Sequence, residues 1–451
     1  MTTDNHKPPP GINGMALFRM MPQFRRDPLR TFTSLSRQFG DVVRMKGLWT
    51  AYQFNHPRDI EHILQTNYRN YHKSKFYAEG KSSIGNGLLI SEGDFWRRQR
   101  RLAQPAFHRQ RIAGFARIMT DSSEAMLEAW RPFAQRGEPL NISAEMMRLT
   151  LRIVGLALFS TDLSQDTDTI GRSLAIAREH LIRRTWQPIR LPISIPTRRN
   201  RNYLQAIRAA DTIIYGMIAE RRRRRIDAAD TDDLVTMLMR ARDEETGETM
   251  SDKQLRDEAM TIMVAGHETT ALALSWTWYL LSRHTEVERK LHAELVAILD
   301  GRTPASEDIP QLKYTTMIIE EAMRLYPPAW VIARRAVNDD FVGGYRIEAK
   351  SEIILLPYVT HRHPDFWENA EDFDPERFSP GRSEGRPRYA YFPFGGGPRQ
   401  CIGNNFAMME AILVLATVAQ KYRLRLVPEH PVEPEPSVTL HARHGIKMTL
   451  H

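Results

Sequence analysis

The sequence predicts a mainly α-helical protein with small β-sheets, an α+β fold. Three observations carry this. Helical periodicity dominates residues 112–299. A run over 252–284 is long and largely apolar, the pattern of a central, buried helix. Strand signals are confined to short stretches bounded by turn residues, at 41–54, 343–357 and 438–450.

In chain order, residues 41–45 and 51–54 read as a strand pair, with a helix starting at Pro57. Residues 96–104 form a strongly basic helix. Pro188, Pro192 and Pro196 mark 187–199 as a loop between helices. The helix over 202–225 ends in five arginines, read as a solvated C-terminus where cations suit the helix dipole. After the central helix, another over 312–325 is stopped by Pro327 and Pro328. Residues 343–357 read as a hairpin with strands at 345–347 and 352–356. Irregular, proline- and glycine-rich chain then leads to Cys401. Ile402, Phe406, Met409, Leu413 and Ala416 recur at helical spacing just beyond it. The closing segment is strand-like around a turn at Gly445. No internal linker shows a composition break, so one catalytic unit over 1–451 is expected, with residues 1–14 as a flexible tail.

Composition narrows the class. Apolar content of 42% and charged content of 26% describe a globular protein with an ample core. No apolar run approaches the ~20 residues of a membrane span. The first fourteen residues contain Asp4, Lys7 and three consecutive prolines and lack the apolar core of a signal peptide, so a cytoplasmic location is expected. The net charge of +9 would suit nucleic acid, but the basic residues form no recognisable nucleic-acid module, and no such partner is expected.

Cys401 is the only cysteine, so it makes no intrachain disulfide. Gly395, Gly396 and Gly397 let the backbone pass close to something flat or bulky, and Arg399 is placed to meet an anion. The following helix start favours the thiolate, the metal-ligating form. A thiolate ligand on haem iron, with an arginine on a haem propionate, fits all of this. The run Phe-x-x-Gly-x-Arg-x-Cys-x-Gly is complete at Phe394, Gly397, Arg399, Cys401 and Gly403. It resembles the signature of the haem-thiolate monooxygenases, the cytochrome P450 family, in its soluble bacterial form.

The resemblance extends along the chain. Ala265-Gly266-His267-Glu268-Thr269-Thr270 lies in the central helix and looks like the family's oxygen-activation motif. It implies that Thr269 is the oxygen-activating alcohol and Glu268 the proton-delivery acid. Gly266 is read as leaving room for a large planar group, with Ala265 sharing the face of Thr269. His267 is read as a packing or solvent histidine. Glu321 and Arg324 share a helix face and, with Arg377, match a structural triad that assembles the haem pocket. Trp96 and Arg100 make a clamp for a carboxylate and by resemblance hold a propionate. Arg334 matches a further propionate position, with Arg335 as the alternative. Phe394, Gly395, Ala265, Gly266 and Gly403 complete the expected cofactor contacts. Leu88, Val264, Val331, Ile332 and Leu440 are the substrate-pocket candidates, and their apolar character implies an apolar substrate.

The family fold therefore implies a single haem-binding unit carrying haem b. Its activity would insert one oxygen atom from O₂ into a fatty-acid-, terpenoid- or carotenoid-like substrate by hydroxylation or epoxidation. NAD(P)H-derived electrons would arrive from a separate ferredoxin or flavodoxin with its reductase, and the enzyme would be a monomer. Arg97, Arg98 and Arg101 on the basic helix are expected to steer an acidic donor. The alternative is a peroxygenase of the same fold, which the Glu268–Thr269 pair disfavours. A haem gas sensor and a cysteine hydrolase are weaker readings; the hydrolase needs a histidine that the cysteine's own segment lacks.

Overall fold

The computed structural model describes residues 8–162, 167–186, 191–223, 233–243 and 247–451. The expected loop residues 187–190 and arginines 224–225 lie outside them, as do residues 1–7 of the expected tail. The chain forms two compact units. One comprises Met1–Phe76, Glu320–Cys401 and Pro434–His441; the other comprises Tyr77–Ile319, Ile402–Glu433 and Ala442–His451. Each is assembled from three stretches of sequence, so no single linker divides them and no composition break marks the division.

The first unit is built on a six-stranded sheet in the order Gly11–Asn13, Val42–Lys46, Thr50–Phe54, Glu352–Leu355, Ile332–Ala336, Tyr71–Lys73. Two corrections follow. Gly11–Asn13, expected in a flexible tail, pairs in parallel with Val42–Lys46. The expected hairpin over 343–357 does not form. Tyr345–Ile347 pairs instead with Asp340–Val342, around Gly343 and Gly344 at φ +61° and +84°. Glu352–Leu355 lies between Thr50–Phe54 and Ile332–Ala336. Buried Tyr52, Phe54, Ile60, Ile332, Ile353 and Leu355 make the core beneath the sheet.

The second unit is mostly helical. Its main helices are α1 (Gly93–Ala103), α2 (Ile142–Phe159), α3 (Thr167–Trp186), α4 (Arg198–Arg223), α5 (Asp252–Leu281) and, beyond the cysteine, α7 (Asn404–Ala419). Between the last two runs α6 (Lys313–Leu325), which passes from the second unit into the first. A Ser251–Gln254 capping box fixes where α5 begins. Its packing partners include α2, α4 and α7. Leu424–Leu426, Lys447–Leu450 and Leu140–Asn141 form a three-stranded sheet in this unit. The arginine run at the end of α4, expected from sequence to be solvated, is not wholly so. Arg221 is 7% exposed and gives both Nε and Nη2 to Asp233 Oδ2, at 3.0 and 2.8 Å. A buried charge needs such a partner.

Candidate active site

The cysteine loop belongs to the first unit. Its backbone is closed by the Cys401 amide donating to the Phe394 carbonyl at 2.9 Å, with Gly395 N–H to Phe392 O at 2.9 Å. Gly397 has φ +64°, and a Cβ there would lie 1.9 Å from the Leu64 carbonyl oxygen. Gly396 is equally constrained, since its Cβ would fall 2.3 Å from the Tyr389 ring. These glycines are therefore fixed by close approach of other protein groups. The loop presents Cys401 as an exposed cysteine that forms no disulfide.

The same unit holds the charged triad. Arg324 and Glu321 are fully buried and form a bidentate pair, Nε–Oε2 at 2.7 Å and Nη2–Oε1 at 2.8 Å. The same guanidinium donates to the carbonyls of His361, Ala370 and Asp372 at 2.9, 2.7 and 3.0 Å. Arg377 Nε stands 3.3 Å from Glu321 Oε1, and its Nη2 donates to Asn369 O at 2.8 Å. The three side chains thus tie the irregular 361–377 stretch to α6.

On Ile332–Ala336, Arg334 and Arg335 point to opposite faces, as neighbours in a strand must. Arg334 is 7% exposed, whereas Arg335 donates Nε to Lys350 O at 3.2 Å on the outer side.

In the second unit, α5 is buried along most of its length. Ala265 is the single exposed residue between Gln254 and Leu281, and Val264, Glu268 and Thr269 beside it are half-buried. The Thr269 hydroxyl donates to Ala265 O at 2.7 Å. Arg178 Nη1 on α3 stands 3.7 Å from Glu268 Oε1. Gly266 packs toward α2, where a Cβ would lie 3.2 Å from Val154 Cγ2. His267 is 4% exposed, with Nδ1 2.9 Å from Met263 O, and burial lowers its pKa. Trp96 is buried and Arg100 half-buried, one turn apart on α1. Gly403 caps α7, and a Cβ there would lie 3.7 Å from the Phe107 ring.

A family model described as cytochrome P450 matches residues 8–448. The chain belongs to the cytochrome P450 family. Cyclooctatin synthase of Streptomyces melanosporofaciens is 40% identical, over 92% of this chain and 90% of the relative. Cyclooctat-9-en-7-ol 5-monooxygenase of the same organism is 37% identical over 89% and 86%. Pentalenene oxygenase of Streptomyces avermitilis is 34% identical over 95% and 94%. As a P450 monooxygenase the chain is an oxidoreductase that incorporates molecular oxygen, and the family implies haem and apolar substrates.

The residues of this P450 fit haem. Among the described residues no group of three His, Cys, Asp or Glu side chains could hold a metal ion. A lone soft thiolate suits a metal that brings its other donors in its own ring. The exposed Cys401 presents its sulfur where such a group could meet it. No described helix is long and apolar enough to cross a membrane.

Three findings adjust the sequence reading. Leu440 is fully buried among Leu29, Trp330, Leu356 and Val359, so it packs in a core and lines no open pocket. Ile332 is also buried, in the sheet core, while Leu88, Val264 and Val331 remain half-buried. Arg98 stands 3.4 Å from Asp243 and 3.3 Å from Glu248, Arg101 stands 3.3 Å from Asp243, and Arg97 pairs with Asp94. The basic helix is therefore largely compensated. His361 went unread: it is fully buried, and its Nε2 accepts the Phe392 amide at 3.0 Å. Burial and the adjacent Arg324 hold its pKa well below the usual value, so it stays neutral and can accept. The only sequence signal was its place in the stretch leading to the cysteine.

Proposed function

We propose that this P450 is a terpenoid oxygenase that hydroxylates or epoxidises a cyclic, apolar skeleton. The observation that carries this is the pair of relatives named for oxidising cyclooctat-9-en-7-ol and pentalenene, each aligned over nearly its whole length. Haem b supplies the oxygen chemistry when bound, drawing on O₂ and NAD(P)H-derived electrons from a separate ferredoxin or flavodoxin with its reductase.

The protein's own residues have distinct tasks in this reading. Cys401, as thiolate, ligates the iron. Trp96, Arg100, Arg334 and Arg399 hold the propionates; Arg334 is preferred to Arg335 because it alone faces inward. Glu321, Arg324 and Arg377 keep the cysteine loop in place. Thr269 already bonds back to Ala265 O, which holds its hydroxyl at the open stretch of α5. Glu268 brings protons there, and general acid–base transfer of this kind is worth about 10²–10⁴-fold in rate. Leu88, Val264 and Val331 supply apolar contact.

The test is turnover of cyclic terpenes with a surrogate ferredoxin and reductase under isotopically labelled dioxygen. The proposal expects a haem spin-state shift on binding and one labelled oxygen atom in the product. Thr269→Ala should keep the shift but lower product formed per NAD(P)H consumed. No shift with any cyclic terpene, alongside a shift with linear fatty acids, would overturn the substrate class. An unchanged product-to-NAD(P)H ratio in Thr269→Ala would overturn the role of Thr269.

A further inference from the structure

The turn before α1 is held to α5 by an arrangement that packing alone does not require. Gly85 and Gly87 are both buried. Gly85 has φ +75°, and a Cβ on it would lie 2.0 Å from Asp257 Oδ1. A Cβ on Gly87 would lie 2.3 Å from Thr261 Oγ1 and 2.6 Å from the Asp257 carbonyl oxygen. The two glycines let this backbone lie directly on the first turns of α5.

Two adjacent carboxylates then take the turn's amides. Asn86 N–H donates to Asp257 Oδ2 at 2.9 Å, and Leu88 N–H donates to Glu258 Oε2 at 3.0 Å. Asp257 is 5% exposed and Glu258 1%. Neighbouring cations balance Asp257: Arg256 Nη1 at 3.1 Å and Lys253 Nζ at 3.0 Å. Arg256 also donates Nη2 to the Ser83 carbonyl at 2.8 Å and Nε to Asp211 on α4 at 2.7 Å. A buried amide left without its acceptor is costly, so backbone capture by buried side-chain oxygens is a firm attachment. It is also reversible, because each amide can be solvated when the turn lifts.

We propose that Asp257 and Glu258 are positioning residues that strap the Gly85–Leu88 turn to α5 and thereby fix where Leu88 meets substrate. This rests on the functional reading, since Leu88 is taken there as a pocket residue. The strap sets both how the substrate is oriented and how fast it leaves. A turn attached through side-chain acceptors holds one geometry while closed, and it opens as a unit when those acceptors are lost.

The experiment uses the haem-loaded, full-length chain and compares Glu258→Leu with Glu258→Gln. Leucine removes the acceptor at similar bulk, whereas glutamine keeps a neutral carbonyl. Hydrogen–deuterium exchange is read on a peptide spanning residues 83–90. Losing the acceptor oxygen should speed exchange there roughly ten- to a hundredfold in Glu258→Leu, and much less in Glu258→Gln, which keeps a carbonyl oxygen. A second readout is the dissociation rate of a bound cyclic terpene, followed by its haem spin-state signal, with the ratio of product isomers. Faster release and a broader isomer ratio in Glu258→Leu, restored in Glu258→Gln, are expected. Equal exchange in wild type and Glu258→Leu would overturn the strap. Equal loss in both variants would show that the acceptor oxygen, which glutamine keeps, is not what holds the turn, and would overturn it too. Altered exchange with unchanged release and isomer ratio would overturn the positioning role. If no apolar compound shifts the wild-type spectrum, the functional reading fails, while the exchange measurement still decides the strap.

Discussion

Glu320, beside the triad on α6, shows how single residues tune this protein. Burial pushes its carboxyl up to about 7, with Arg386 opposing, from the ordinary 4.5. The folded chain therefore binds this proton more tightly than the unfolded chain does. Its stabilising contribution is complete below pH 4.5 and is lost as pH rises through about 7. The difference amounts to on the order of 3 kcal/mol. Glu320→Gln should flatten the decline of urea-unfolding stability between these limits and raise stability at pH 8; an unchanged slope would contradict it. Glu320 was not legible in the sequence, because nothing distinguishes a buried glutamate from an exposed one in an acidic pair. Thr269, Glu268 and Cys401 could be named as candidates from sequence because the proposed chemistry requires particular residue types at fixed spacings. His361 was not, because a neutral histidine accepting one amide leaves no spacing signal.

At the scale of elements, periodicity served well where one face is uniformly buried. The helix expected over 252–284 is Asp252–Leu281, and that over 312–325 is Lys313–Leu325. It failed where pairing is decided by distant chain. Tyr345–Ile347 and Glu352–Leu355 are both strands, but their partners come from residues 340–342, 50–54 and 332–336, which a local hairpin signal does not contain. The glycines of the cysteine loop were legible as a close approach, yet what approaches Gly396 and Gly397 is Tyr389 and Leu64. Gly397→Ala must strain a backbone at φ +64° and displace a carbonyl only 1.9 Å away. Strain of about 1–3 kcal/mol concentrated in this loop should reduce the fraction of haem held with thiolate ligation. Haem content and the carbon monoxide band of the reduced protein measure it; values equal to wild type would show that the loop tolerates a side chain.

For the whole molecule, the fold class and the family were legible, whereas the division into two units was not, since each unit is gathered from three stretches of chain. The expected steering surface on α1 also changes character: Arg98 and Arg101 answer to Asp243, which is 3% exposed. Charge counted along a sequence overstates what a partner feels once such pairs form. The central claim is that the single cysteine ligates haem iron as a thiolate. Its most direct test is the absorption spectrum of the reduced, carbon monoxide-bound protein, compared with Cys401→His. Wild type should show the red-shifted Soret band of thiolate ligation, and Cys401→His should lack it even while retaining haem. The same red-shifted band in both proteins would contradict the account.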